Sequence, residues 1–151
     1  MRDAVLVFAA ALVFAAALVP AAGSSTGSSQ PHKAALGERF TLRIGESAQI
    51  GAEALQIGFE DVPADSRCPR GEQCIREGDA AVRLWLQKAP GPRERIELRT
   101  APKEQSAMRF LSYEVRLVRL DPYPVSGRPI ARGDYVATLE VIRGSTAAPD
   151  R

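Results

Sequence analysis

From Arg39 onward the chain alternates apolar and polar side chains with a period of two. In Arg39-Phe40-Thr41-Leu42-Arg43-Ile44 every second residue is apolar. Leu55, Ile57 and Phe59 alternate with Gln56, Gly58 and Glu60, and Val82, Leu84 and Leu86 with Arg83, Trp85 and Gln87. Ile96 and Leu98 fall among Arg95, Glu97 and Arg99. Tyr113, Val115 and Leu117 alternate with Glu114, Arg116 and Val118, and Tyr135, Ala137, Leu139 and Val141 close the series. Successive side chains of a strand point to opposite faces, so each segment predicts a strand with one dry and one wet face. One-sided burial belongs to antiparallel sheets, because parallel sheets are covered on both faces. Two such sheets bury their apolar faces against each other. The expected fold is therefore all-β, an antiparallel immunoglobulin-like β-sandwich of about seven or eight strands. A small closed β-barrel produces the same alternation and is the alternative.

The breaks in the pattern are turn-forming: Gly45-Glu46-Ser47, Ala89-Pro90-Gly91-Pro92, Asp121-Pro122-Tyr123-Pro124 and Ser126-Gly127-Arg128-Pro129. Helical spacing is confined to one turn near Pro102 to Ser106. The front of the chain reads differently. Met1-Arg2 is followed, past Asp3, by 16 uninterrupted Ala, Val, Leu and Phe residues from Ala4 to Val19, then Pro20 and the small residues Ala21, Ala22 and Gly23. Residues 1–22 are expected to be a signal peptide, cut after Ala21 or Gly23. The rival, a retained anchor, has fewer than the roughly 20 apolar residues a span requires. No cysteine stands in the cleavage zone to take a lipid. The expected product is periplasmic or secreted, with no membrane insertion after signal removal. Residues 23–36, rich in Ser and Gly, read as a flexible linker and 145–151 as a disordered tail. One β-sandwich domain, 37–144, remains.

Charge narrows the partners. Lys and Arg total 20 against 18 Asp and Glu, with the signs interleaved. Glu94 and Glu97 interrupt the one basic run, Arg93 to Arg99, so a nucleic-acid partner is not expected. Catalysis has few materials. The single histidine, His32, falls at the edge of the linker, which leaves no Ser-His-Asp or Cys-His arrangement and no histidine zinc site. Paired carboxylates have little room for a deep cleft in a domain of this length. Arg132-Gly133-Asp134 reads as an ordinary turn before a strand. The chain is expected not to be an enzyme and to carry no cofactor.

Two cysteines, Cys68 and Cys74, are separated by five residues that include Pro69 and Gly71. In an exported chain such a pair is expected to form a disulfide. Closing a loop this short stabilises by about 2 kcal/mol in the chain-entropy model. The spacing does not suit the Cys-X-X-Cys pattern of redox pairs, and no further Cys or His is at hand for a metal. The same region holds Glu60, Asp61, Asp65, Glu72, Glu77 and Asp79. Clustered carboxylates would suit calcium, but Arg67, Arg70 and Arg76 are interspersed, and local ion pairs are the expected arrangement. Asp65 and Arg67 are expected to hold the loop to the sheet.

The string Asp65-Ser66-Arg67-Cys68-Pro69, with Gly71, Cys74 and Gly78, resembles a family of uncharacterised exported bacterial proteins, many of them lipoproteins. The resemblance extends to the strand opened by Tyr113, the Pro122-Tyr123-Pro124 element and the last strand from Tyr135. The chain differs from it in lacking a lipid-anchor cysteine and in carrying Arg76-Glu77 where an aromatic is expected. It implies the fold and export, and no activity.

The functional expectation is a non-catalytic binding or structural domain whose partner is a protein or a cell-envelope component. A calcium or small-ligand carrier using the acidic loop and a protease-inhibitor-like module are the alternatives. Recognition is expected on the loop Asp65 to Gly78 and the Pro122–Pro124 turn, because loops on a rigid sandwich carry it. Arg67, Arg70, Trp85 and Tyr123 are the candidate binding residues. Trp85 has two placements open: core at a sandwich edge, or an outward anchor flanked by Arg83 and Gln87. The pattern leaves the oligomeric state open.

Overall fold

In the computed structural model the described residues are 31–101 and 105–144. The expected signal peptide, most of the expected linker, most of the turn near Pro102 and the tail lie outside them. Nine strands follow in order: β1 (His32–Ala34), β2 (Arg39–Arg43), β3 (Ser47–Ile50), β4 (Leu55–Asp65), β5 (Ala80–Lys88), β6 (Arg93–Arg99), β7 (Ala107–Phe110), β8 (Tyr113–Asp121) and β9 (Val136–Arg143). They form a five-stranded sheet, β1-β3-β4-β5-β6, and a four-stranded sheet, β2-β9-β8-β7. Neither closes into a barrel, so the fold is the sandwich and not its barrel alternative.

Three short strands carry the count past the seven or eight expected. β3 begins where the turn Gly45-Glu46 ends, and Ser47, read with that turn, already pairs with Gly58. β1 lies within the stretch expected as linker. It runs parallel to β3, pairing His32 with Ala48 and Ala34 with Ile50, and is the one parallel pair among the described strands.

The alternation sets the core. Leu55, Ile57, Phe59, Leu84, Leu86 and Leu98 from the five-stranded sheet meet Leu42, Val115, Leu139 and Val141 from the other, all without solvent exposure. Burying one such side chain stabilises by roughly 1.5–3 kcal/mol. Two irregularities bend the frame. β4 shifts register between Phe59 and Ala64, and β8 shifts between Leu117 and Arg119, so that Val118 and Arg119 both face outward before Leu120 returns to the core. β4, β5, β8 and β9 run the full length of the sandwich, and their ends define its two poles.

Candidate functional site

At one pole the arms of β4 and β5 stay paired beyond the sheet. Ser66 N–H donates to the Asp79 carbonyl at 2.8 Å and Cys68 N–H to that of Glu77 at 2.7 Å. Cys68 and Cys74 are joined by a disulfide with a Cα separation of 6.0 Å. Where the arms come closest stands Gly78, at φ +65°, and a Cβ there would overlap the Ser66 carbonyl. Only glycine fits both the conformation and the space.

The segment between β8 and β9 docks on this hairpin. Arg70 N–H donates to the Pro124 carbonyl (2.9 Å), Ser126 N–H to that of Arg70 (3.1 Å), and the Ser126 hydroxyl to Glu72 Oε1 (2.7 Å). Arg67 is the knot between the two. Its Nε donates to Asp65 Oδ1 at 2.8 Å and its NH2 to Asp65 Oδ2 at 2.6 Å, a two-pronged pair. The remaining donors reach across to β8 and the turn beyond it, NH1 to the Leu120 carbonyl (2.8 Å) and NH2 to that of Pro122 (3.0 Å). The Tyr135 hydroxyl donates to Asp65 Oδ2 at 3.1 Å. Arg67 is 7% exposed, the one buried charged residue among those described.

Burial pushes the Asp65 carboxyl up, but the hydrogen bonds and charge of Arg67, with the Tyr135 hydroxyl, outweigh it and hold the group below the usual aspartate value. Burial and the neighbouring Asp65 charge push the Tyr135 hydroxyl up. The pair expected to hold the loop to the sheet thus does so, and Tyr135 completes it. Nothing in sequence spacing points to Tyr135, which lies 70 positions from Asp65.

The candidate binding residues fare differently. Arg67 spends its donors internally. Arg70 and Tyr123 are brought together, the Arg70 guanidinium 5.2 Å from the ring centroid, with that of Arg67 at 5.3 Å from the same ring. On this segment Tyr123 and Val125 are 41% and 40% exposed, and Ile75, within the disulfide hairpin, is completely exposed. An open cleft of about 260 Å³ runs between Arg67, Gly78, Leu120 and Tyr123, and a second of about 400 Å³ between Asp65, Pro69, Val125 and Tyr135.

Trp85 belongs to neither this site nor the core, which corrects the core placement. Its neighbours Leu84 and Leu86 face inward, and its indole lies half-buried on the outer face of the five-stranded sheet, across Gly58. The six carboxylates of the acidic region are dispersed. Glu60 pairs with Arg95 (2.8 Å), Asp61 with Arg132 (2.9 Å) and Asp79 with Arg99 (2.8 Å). Among the described residues no group of three or more His, Cys, Asp or Glu could hold a metal ion. His32 lies in β1, its ring 3.9 Å from Glu46.

The opposite pole has a second polar cluster that pattern reading passes over. The Tyr113 hydroxyl donates to Glu53 Oε2 (2.5 Å), Lys88 Nζ donates to the Tyr113 hydroxyl (2.9 Å) and to the Glu53 carbonyl, and Arg143 NH2 donates to Glu53 Oε1 (2.5 Å). The hydrogen bonds from Tyr113 and then Arg143 hold the Glu53 carboxyl below its usual value.

No protein-family model, curated protein or solved structure matches the chain. Among the described residues no helix is long and apolar enough to cross a membrane.

Proposed function

We propose that the chain is an exported, non-catalytic binding module that recognises a protein partner of the cell envelope through the pole built from the disulfide hairpin and the Pro122–Val125 segment. The observation that carries this reading is the Arg67 knot. It fixes two loops 53 to 55 positions apart into one platform while Ile75, Tyr123 and Val125 stay in solvent. Exposed apolar side chains gathered on one rigid surface mark interaction sites. Tyr and Arg supply most interface hot spots, and Tyr123 with Arg70 offers both. A preformed platform also spares the ordering cost of binding. The disulfide supports the exported location, since such bonds persist in oxidising compartments, and the Ser-Arg-Cys-Pro resemblance agrees with it.

The test compares wild-type protein with an Ile75→Asp/Tyr123→Ala variant, each recovered from the host envelope fraction and read by native mass spectrometry. A partner retained by the wild type and lost by the variant, with the melting temperature unchanged, is the expected result. A bare wild-type monomer, or a partner held equally by both, overturns the reading.

A further inference from the structure

The outer face of the five-stranded sheet carries a second arrangement, remote from the hairpin pole. Strand register sets five side chains in one line across all five strands: Lys33 beside Gln49, Gln49 beside Gln56, Gln56 beside Gln87, and Gln87 beside Arg93. Their chain neighbours Ala48, Ile50, Leu55, Ile57 and Leu86 are fully buried, so the line lies on the wet face. It reads cation, amide, amide, amide, cation, with no carboxylate in it.

The cation at its end is positioned. Gln87 Nε2 donates to the Gly91 carbonyl (3.0 Å), which turns Gln87 Oε1 to accept from Arg93 Nε (3.3 Å). The Arg93 guanidinium lies 3.9 Å from the Trp85 ring centroid. The indole in turn rests on Gly58, where a Cβ would overlap it. Gly58, Trp85 and Arg93 are therefore a stack, and the indole is the bed of the guanidinium. The other arginines of this face have carboxylate partners: Arg83 with Glu97, Arg95 with Glu60, Arg99 with Asp79. Among the described residues no carboxylate lies within ion-pair distance of Arg93 or Lys33. Beside Arg93 the surface opens into a cleft of about 680 Å³ that the paired Arg95 and Glu60 also line.

We propose that this line is a binding site for an acidic polysaccharide, a hydroxyl-rich strand bearing carboxylate groups, lying across the strands from Lys33 to Arg93. A guanidinium stacked on an indole and without a carboxylate partner of its own can match a ligand carboxylate with two parallel hydrogen bonds. The Gln49 and Gln56 amides each offer two N–H donors and an acceptor, the complement of sugar hydroxyls, while Gln87 is engaged in positioning Arg93. With strands about 4.8 Å apart, the two cations stand about 19 Å from each other along the line, so the ligand must be extended. An acidic peptide fits less well, since its backbone asks for a strand edge to pair with and it lacks the hydroxyls that the central amides complement.

The test is calorimetric titration of the intact protein with polygalacturonate oligomers, neutral pullulan oligomers and oligo-aspartate. Polygalacturonate is expected to bind best. Arg93→Gln is expected to weaken it roughly tenfold, the worth of one two-pronged charged pair, and Lys33→Gln by a smaller factor. Arg70→Gln, at the remote pole, is expected to leave it unchanged, with equal melting temperatures throughout. Failure of the wild type to bind polygalacturonate overturns the proposal. So does equal binding of oligo-aspartate, or an equal loss in Arg70→Gln, which would mean charge attraction without a site. The reading of the hairpin pole stands or falls separately, since no residue is shared.

Discussion

The two poles of the sandwich use the same three side-chain chemistries and obtain different things from them. Each joins a carboxylate, a tyrosine hydroxyl and basic groups: Asp65, Tyr135 and Arg67 at one, Glu53, Tyr113, Lys88 and Arg143 at the other. The difference is water. The Arg67 and Asp65 side chains are 6% and 11% exposed, whereas Arg143 is 71% exposed above Glu53. Charges withdrawn from solvent are costly unless fully partnered, and removing one partner strands the other. Exposed pairs gain little and are screened by salt. One pole is therefore a structural knot and the other a surface clasp.

The contrast is broken most directly by Arg67→Ala, which leaves Asp65 buried without its partner. Urea unfolding is expected to register a loss of about 3–5 kcal/mol. If Arg143→Ala costs as much, the two poles are equivalent after all.

The next effect belongs to the disulfide. Replacing both cysteines by serine is expected to lower stability by about 2 kcal/mol while the near-ultraviolet spectrum of the core is retained. Collapse of that spectrum would make the disulfide, and not Arg67, the organiser of this pole.

Smaller again is Tyr135→Phe, about 1.5 kcal/mol for a hydrogen bond to a charged group, and it sharpens the contrast through pH. The Tyr135 hydroxyl is held above its ordinary value of 10.0. Its contribution is complete below that value and is lost as pH rises through the raised one. Asp65 and Glu53 are both held below their ordinary values. Their contributions are present above the ordinary carboxylate range and are lost as pH falls through the lowered values. Acid should loosen both poles. Tyr135→Phe should flatten the alkaline decline in stability relative to wild type, and an unchanged alkaline limb would remove Tyr135 from the knot. Arg143→Ala is expected to give the smallest shift of the four, one that raised salt erases.

Sequence alternation made β2, β5, β6, β9 and most of β4 and β8 legible because each buries one face over five residues or more. β1, β3 and β7 are three or four residues long, too short for a period to declare itself, and β3 abuts a glycine turn. Asp65 and Arg67 could be singled out because they are local to each other and to the cysteines. Tyr135, Leu120 and Pro122, which complete the knot, join it only through the pairing of distant strands. Trp85 was ambiguous for a related reason. Alternation tells which residues share a face, and Gly58 on the neighbouring strand is what lets a large ring lie flat on the wet one.

The short strand β1 has a consequence for processing and self-association. It occupies the outer margin of β3, and the Gly51 N–H continues the contact by donating to the Ala34 carbonyl at 2.7 Å. The far margin of the same sheet, β6, is guarded by Arg93, Glu94, Arg95, Glu97 and Arg99. β3 has no such guard, with Ala48 and Ile50 flanking Gln49. A proteolytic trim ending before His32 leaves that margin capped. One that reaches Ala35 bares a row of unpaired backbone groups, a template onto which a second copy can add its own strand.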